Sequence, residues 1–540
     1  MKKNIKILVI ALFSASIFSC SDDFLDVTPK SSLTDATFWA NEQDVTMALN
    51  GCYRGWETIV NIVFLDAASD NGYEQFTYKY HEIANGTILA TNTIGIVTDG
   101  TCDPSGFSTK WFLYTRIRKY NNFLKKVEEV DMDANLKEQY KAEVRFLRAY
   151  DYFYKIMFYG DIPLVRDLIE DPSESNLTRT PKAEVEAYIL EELTQISQIL
   201  PERNVIDSKG HITKGAALAL KARLELYLGK YEDAQATAAA VIAMPCYELF
   251  PLYEEMFYPS SESSNKEVIL TVEYMPNDYV SRLPQLTLPA TEGGWSALNA
   301  LWPLIEAYQT INGKSIDEDP SYNPDEPFKN RDPRMTQTIL CPGEWYNGRY
   351  YNSLDQFIDG QEERKNLDFH SEAAASRGGL LVKKYIFPMS VAEANIYDAN
   401  AIVIRLPEMY ITFAECALMT GRDQDKALTY INSIRKRAGM PEATVLTEEL
   451  VRYERRIELA FEGLRYFDLK RWDLGPTLLH GIAIGCRDGS VDSQTGKITW
   501  KGDNIRLEQR IFYPERKYLL NIPQNEIDRN PNMVQNPGYN

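Results

Sequence analysis

Residues 136–158 constrain the fold more than any other stretch. Phe146, Tyr150, Phe153 and Met157 recur at i, i+4, i+7 and i+11, and Val144 and Leu147 widen the stripe. This is helical spacing, and so broad an apolar band predicts a helix buried around much of its circumference. Gly160 ends it, and Pro163 keeps it from resuming. A helix with so little polar face needs other helices packed around it. Two candidates are residues 41–57, with Val45, Ala48, Leu49 and Cys52, and residues 447–472, with Ile457, Ala460, Phe461 and Leu464. In the second, Thr447 ahead of Glu448 and Glu449 reads as an N-cap with acids in the first turn, and Gly463 as a break.

Residues 212–243 read as a helical hairpin. Leu224, Tyr227, Leu228 and Tyr231 follow i, i+3, i+4 and i+7, Gly229 marks the turn, and Ala234 and Ala238 line the return helix. A similar unit runs through Ala414–Leu418, Gly421, Ala427 and Ile431. Large residues, a glycine turn and then alanines at helical spacing resemble tetratricopeptide repeats, here degenerate and widely separated. The middle is different. Residues 251–345 hold 11 of the 26 prolines, too many for long helices, so loops with short helices are expected there. Residues 72–93 are a second loop candidate, or a short hairpin.

The N-terminus reads MKKNIK, then an apolar run from Ile7 to Phe18, then Ser19-Cys20. A basic start and a short apolar run form an export signal, too short for a ~20-residue membrane span. Cys20 stands where a bacterial lipoprotein carries its lipid, and Ser21-Asp22-Asp23 resembles the signal that sends such proteins to the outer face of the outer membrane. Removing residues 1–19 takes Lys2, Lys3 and Lys6 and no acid, so the net charge falls from −19 to −22. That balance argues against nucleic acid, which needs a basic stripe, and against polyanionic ligands in general. The other cysteines (Cys52, Cys102, Cys246, Cys341, Cys416 and Cys486) include no CxxC, which removes the usual zinc and redox spacings. Cys52 and Cys416 lie on apolar helical faces and read as buried thiols.

Enzyme constellations are missing. His81-Glu82 opens a zincin-like pattern, but position 85 is Asn. Gly313-Lys314-Ser315 would end a P-loop, but the glycine needed at position 308 is Tyr. There is no GxSxG. The expectation is a binding protein, not an enzyme. The acidic loop Asp317-Glu318-Asp319, near Asp325-Glu326, offers oxygens for a structural Ca²⁺ but lacks EF-hand spacing; no cofactor or other metal is expected.

Three long blocks carry a resemblance: AEVRFLRAYDYFYKIMFYGDIPLV at 142–165, ERRIELAFEGLRYFDLKRW at 454–472 and YLLNIPQNEIDRNPNMVQNPGY at 518–539. With residues 210–228, ALTYINSIRKRAG at 427–439 and Phe24-Leu25-Asp26 after Cys20, the sequence is similar to the SusD/RagB family from end to end. The resemblance implies an all-α fold of tetratricopeptide-like helical hairpins with a large loop-rich inserted subdomain. It divides the chain into a signal peptide (1–19), an N-terminal helical scaffold (20–245), a ligand-facing insertion (246–400) and C-terminal helices and tail (401–540). It also implies an outer-membrane lipoprotein facing the cell exterior. Such a protein captures oligosaccharides, or peptides in the RagB branch, for a SusC-like TonB-dependent barrel transporter. Glu454, Arg455, Arg456 and Asp468 then belong to the scaffold as ion pairs. A sugar offers a flat C–H face and a fringe of hydroxyls, which Trp and Tyr suit. The ligand-binding candidates are Trp295, exposed on a mobile loop by Gly293-Gly294; Tyr73 and Tyr78, after Asp70-Asn71-Gly72; and Trp345 with Tyr346. Trp39, Trp302 and Trp472 read as core, and Trp56 is left open.

Overall fold

The computed structural model describes residues 38–76, 80–89, 112 and 114–539. Cys20, Cys102 and Tyr78 lie outside the described residues, as does the signal segment.

Helices build the scaffold. Residues Glu42–Tyr53 (α1), Thr115–Lys126 (α2), Ala134–Tyr159 (α3) and Lys182–Ile196 (α4) come first. Asp133 caps α3 by accepting from the Leu136 amide at 2.9 Å. From Ala142 onward nearly every residue of α3 is buried, with α2 and α4 packed beside it. At roughly 1.5–3 kcal/mol for each large apolar side chain taken from water, this helix is a main source of cohesion. Gly160, at φ 72°, closes it as expected.

The hairpin expected at 212–243 is Lys214–Tyr227 (α5) and Tyr231–Ile242 (α6), turning at Gly229. The second is Leu406–Thr420 (α7) and Gln424–Arg437 (α8), turning at Gly421. The two pack on each other through α6 and α7. Buried Arg223 of α5 donates to both oxygens of Glu408 on α7, each at 2.7 Å. Residues 447–472 divide at Gly463 into Glu448–Glu458 (α9), capped by Thr447, and Arg465–Arg471 (α10).

Strands add what the sequence reading did not foresee. A four-stranded sheet runs in the order β1–β3–β7–β4, from Gly72–Glu74 (β1), Leu298–Ala300 (β3), Ile339–Leu340 (β4) and Leu381–Val382 (β7). Residues 72–74 are therefore not half of a local hairpin: Tyr73 pairs with Asn299 inside the insertion. Val268–Val272 (β2) pairs with Ala401–Arg405 (β8), stitching both ends of the insertion to the scaffold. The largest departure from the expected all-helical C-terminal part is the hairpin Gly481–Val491 (β9) and Ile498–Arg510 (β10). Its turn is an Asx type, in which Asp492 accepts from the Gln494 and Thr495 amides. The alternating pattern of Ile482, Ile484 and Cys486 was the available signal.

A buried ion-pair lattice joins these parts. Glu458 of α9 accepts from Arg405 (2.6 Å), from Arg334 of the insertion (2.9 Å) and from Arg437 of α8. Glu454 pairs with Arg334 and Arg435, Arg455 with Asp468, and Arg456 with Asp70. The expectation that these signature residues serve the scaffold agrees with this geometry.

Candidate functional site

Trp295 follows a tightly folded turn. Ala290–Glu292 is a short 3₁₀ turn, Gly293 has φ 82°, and a Cβ on Gly294 would lie 2.1 Å from the Leu288 carbonyl oxygen. Only glycine lets the backbone pass there. The Trp295 amide donates to the Gln285 carbonyl at 2.9 Å, and its own carbonyl accepts from Gln75 Nε2 at 2.8 Å. The expected mobile loop is therefore a held one: the glycines serve close approach, and both backbone groups of Trp295 are bonded. The indole is 41% exposed and meets the Phe76 ring edge-on at 6.2 Å. Gln75 also accepts from the Arg377 amide at 3.1 Å, so one side chain clamps two loops.

Trp345 sits on a miniature hairpin, Trp345–Tyr346 (β5) and Arg349–Tyr350 (β6), joined by Asn347-Gly348. Both turn residues have positive φ, 46° and 79°, the two-residue turn that Asn-Gly favours. Trp345 is 62% exposed and meets Tyr350 edge-on at 5.0 Å. Glu292 ties this hairpin to the Trp295 turn by accepting from Asn347 Nδ2 at 2.6 Å and Arg349 at 3.2 Å. Arg349 also pairs with Asp368 at 2.9 Å, and Asp368 accepts from the Thr291 amide at 3.0 Å. A groove of about 680 Å³ opens between residues 290–293, Asn347 and residues 388–393.

Two other candidates face the wrong way. Tyr73 is only 8% exposed, because its pairing with Asn299 turns the ring onto Leu301 and Ala483 of β9. Burial raises its phenol pKa. Tyr346 alternates with Trp345 and so points inward, onto Leu340, Tyr351 and Leu381. Neither presents a ring to a ligand. Gln75, Glu292, Asn347, Arg349 and Arg377 were missed; only the Asn-Gly pair beside Trp345 carried a local signal.

Elsewhere, Trp302 is buried as expected, with its indole N–H on Glu306 at 2.8 Å, and Trp56 is buried against Tyr150. Trp39 and Trp472 are half-buried rather than core. Asp319 accepts from Thr310 at 2.5 Å, Asn312 at 2.9 Å and Ser321 at 2.7 Å, so loop hydrogen bonds engage its oxygens. Among the described residues no group of three or more His, Cys, Asp or Glu is placed to hold a metal, and no helix is long and apolar enough to cross a membrane. His81 and His211 each lie on a buried carboxylate, Glu74 at 2.9 Å and Glu143 at 2.8 Å. Burial pulls the His81 pKa down, but Glu74 outweighs it and the net shift is upward; the hydrogen bond to Glu143 raises that of His211.

The chain as a whole is similar to known proteins. The sequence profile described as "SusD family" matches residues 257–539, and one described as "Starch-binding associating with outer membrane" matches residues 23–227. The chain is 24% identical to SusD-like protein P2 of Formosa agariphila, over 99% of this chain and all of that one. It is 26% identical to the starch-binding protein SusD of Bacteroides thetaiotaomicron, over the whole of this chain and 99% of that one. A solved structure, a SusD-like carbohydrate-binding protein from Bacteroides fragilis, superimposes with a TM-score of 0.79 at 28% identity, covering 92% of this chain and all of that one.

Proposed function

The chain belongs to the SusD family, and on that premise we propose that it captures oligosaccharides at the Trp295–Trp345 face. The observation that carries this reading is the pair of exposed indoles on turns that Glu292 locks together. Flat aromatic faces held in place cover the C–H faces of sugar rings with little loss of side-chain freedom. Gln75, Asn347 and Arg377 stand beside them to meet hydroxyls. A neutral ligand needs no cationic pocket and so suits a chain of net charge −19. Nothing is transformed: the face binds and releases. The protein is anchored through a lipid on Cys20, faces the cell exterior, and passes its ligand to a SusC-like TonB-dependent barrel.

Isothermal titration with maltoheptaose and laminarihexaose tests the capture step. Binding that is weak, reversible and reduced by both Trp295→Ala and Trp345→Ala supports the reading. Binding untouched by either substitution refutes this face, and binding of a mixed peptide digest in place of either glucan refutes the ligand class. For the anchor, radiolabelled palmitate should enter the wild type and not Cys20→Ala. Co-purification of a barrel with the tagged protein from outer membranes tests the transfer step.

A further inference from the structure

A second groove, of about 360 Å³, shares no lining residue with the groove between residues 290–293, Asn347 and residues 388–393, and neither Trp295 nor Trp345 lines it. It lies between the C-terminal end of α1, residues 209–211 and residues 271–279. Its shape is built in. Gly210 has φ 77°, and a Cβ there would fall 2.3 Å from the Glu273 carboxyl carbon, so glycine is what lets Glu273 lie over the turn. Beneath, His211 meets the Tyr53 ring edge-on at 5.7 Å, and both side chains are fixed on buried Glu143. Tyr279 stacks on Tyr274 at 5.2 Å and 20°, and Met275 is 58% exposed at the rim.

The polar lining decides the chemistry. Asn50, Arg54, Lys209, Glu273 and Asp278 all line the groove, and their side chains make no hydrogen bond or ion pair among the described residues. The Arg54 guanidinium lies over the Tyr279 ring, 5.9 Å from its centroid. A cationic ligand would meet Arg54 and Lys209, and a polyanion would meet Glu273 and Asp278. An apolar ligand would strip water from all of them without compensation. A polyhydroxyl ligand fits both signs at once, because each hydroxyl donates and accepts, and Tyr279 with Met275 supplies the apolar contact. We propose that this groove is a second oligosaccharide-binding site, independent of the Trp295–Trp345 face. The proposal takes its ligand class from the reading of that face. Burial raises the Glu273 pKa while nearby His211 draws it back.

Hydroxyl-radical footprinting of the full chain, read by mass spectrometry, separates the two sites, because Met275 and Trp295 each report on one. With maltoheptaose or laminarihexaose at millimolar concentration, Met275 oxidation should fall severalfold. The protection should persist in Trp295→Ala and disappear in the surface double variant Arg54→Ala/Glu273→Gln, which should still protect Trp295. Protection of Trp295 alone overturns the second site and leaves the proposed function standing. Protection of Met275 that vanishes with Trp295→Ala overturns its independence. Protection by a peptide digest and by neither glucan overturns the ligand class, and protection of neither residue by any probe overturns both sites.

Discussion

Glu458→Gln removes one negative charge from the centre of the buried lattice. The carboxylate accepts from Arg405, Arg334 and Arg437, which come from β8, the insertion and α8, and all four side chains are at most 4% exposed. Breaking a buried ion pair by removing one partner costs about 3–5 kcal/mol, chiefly through the uncompensated charge left behind. Here the guanidiniums keep other acids. Arg405 retains Glu267 and Glu462, Arg334 retains Asp332 and Glu454, and Arg437 retains Glu267. The expected loss is therefore at the lower end, about 3 kcal/mol. With an unfolding entropy of ~2.1 cal/mol/K per residue, a chain of this length loses roughly 3 °C of Tm. Differential scanning calorimetry at pH 7 reads this, and a pH series checks the cause. Burial pushes the Glu458 pKa up, but Arg437, Arg405 and Arg334 outweigh it and hold it well below the usual carboxylate range. A depressed folded pKa stabilises above the unfolded value, about 4.3, and the contribution is lost as pH falls below it. The gap between wild type and variant should be flat from pH 5 to 7 and narrow below pH 4. Equal Tm values at pH 7, or a gap that does not narrow in acid, would refute the reasoning.

Trp295→Ala and Trp345→Ala should each weaken oligosaccharide binding by about 1–1.5 kcal/mol, near tenfold, with unchanged Tm, as calorimetry and thermal melts will show. Gln75→Ala removes the clamp between the Trp295 carbonyl and the Arg377 amide; faster hydrogen exchange at residues 290–296 and weaker binding are expected although no aromatic contact is deleted. Lys470 donates to the Met157 carbonyl, and burial lowers its pKa to about 7. The unfolded chain binds this proton up to about pH 10.4, so wild-type stability should rise with pH between 7 and 10. Lys470→Met should be the more stable protein at pH 7, by a margin that shrinks about 1.4 kcal/mol per pH unit toward pH 10; a constant margin in denaturant melts counts against the assignment.

The sequence by itself determined the helical scaffold, because helix periodicity and glycine stops are local signals. The stripe through Phe146, Tyr150 and Phe153, the turns at Gly229 and Gly421 and the Thr447 cap all stand where the spacing puts them. It also singled out Trp295 and Trp345, the first because an indole beside Gly-Gly is readable in a few residues. Tertiary structure decided which aromatics face outward. Tyr73 and Tyr346 carry the same chemistry as their exposed neighbours, yet pairing with Asn299 and the alternation of β5 bury them. It also decided that Gln75 would hold Trp295 and Arg377, and that Glu292 would hold Asn347 and Arg349. Those partners are far apart along the chain, and β-pairing between distant segments leaves no periodic trace in either one. Helices are written in consecutive residues; a binding face assembled from loops is set only when long-range strand pairs and buried charges bring the loops together.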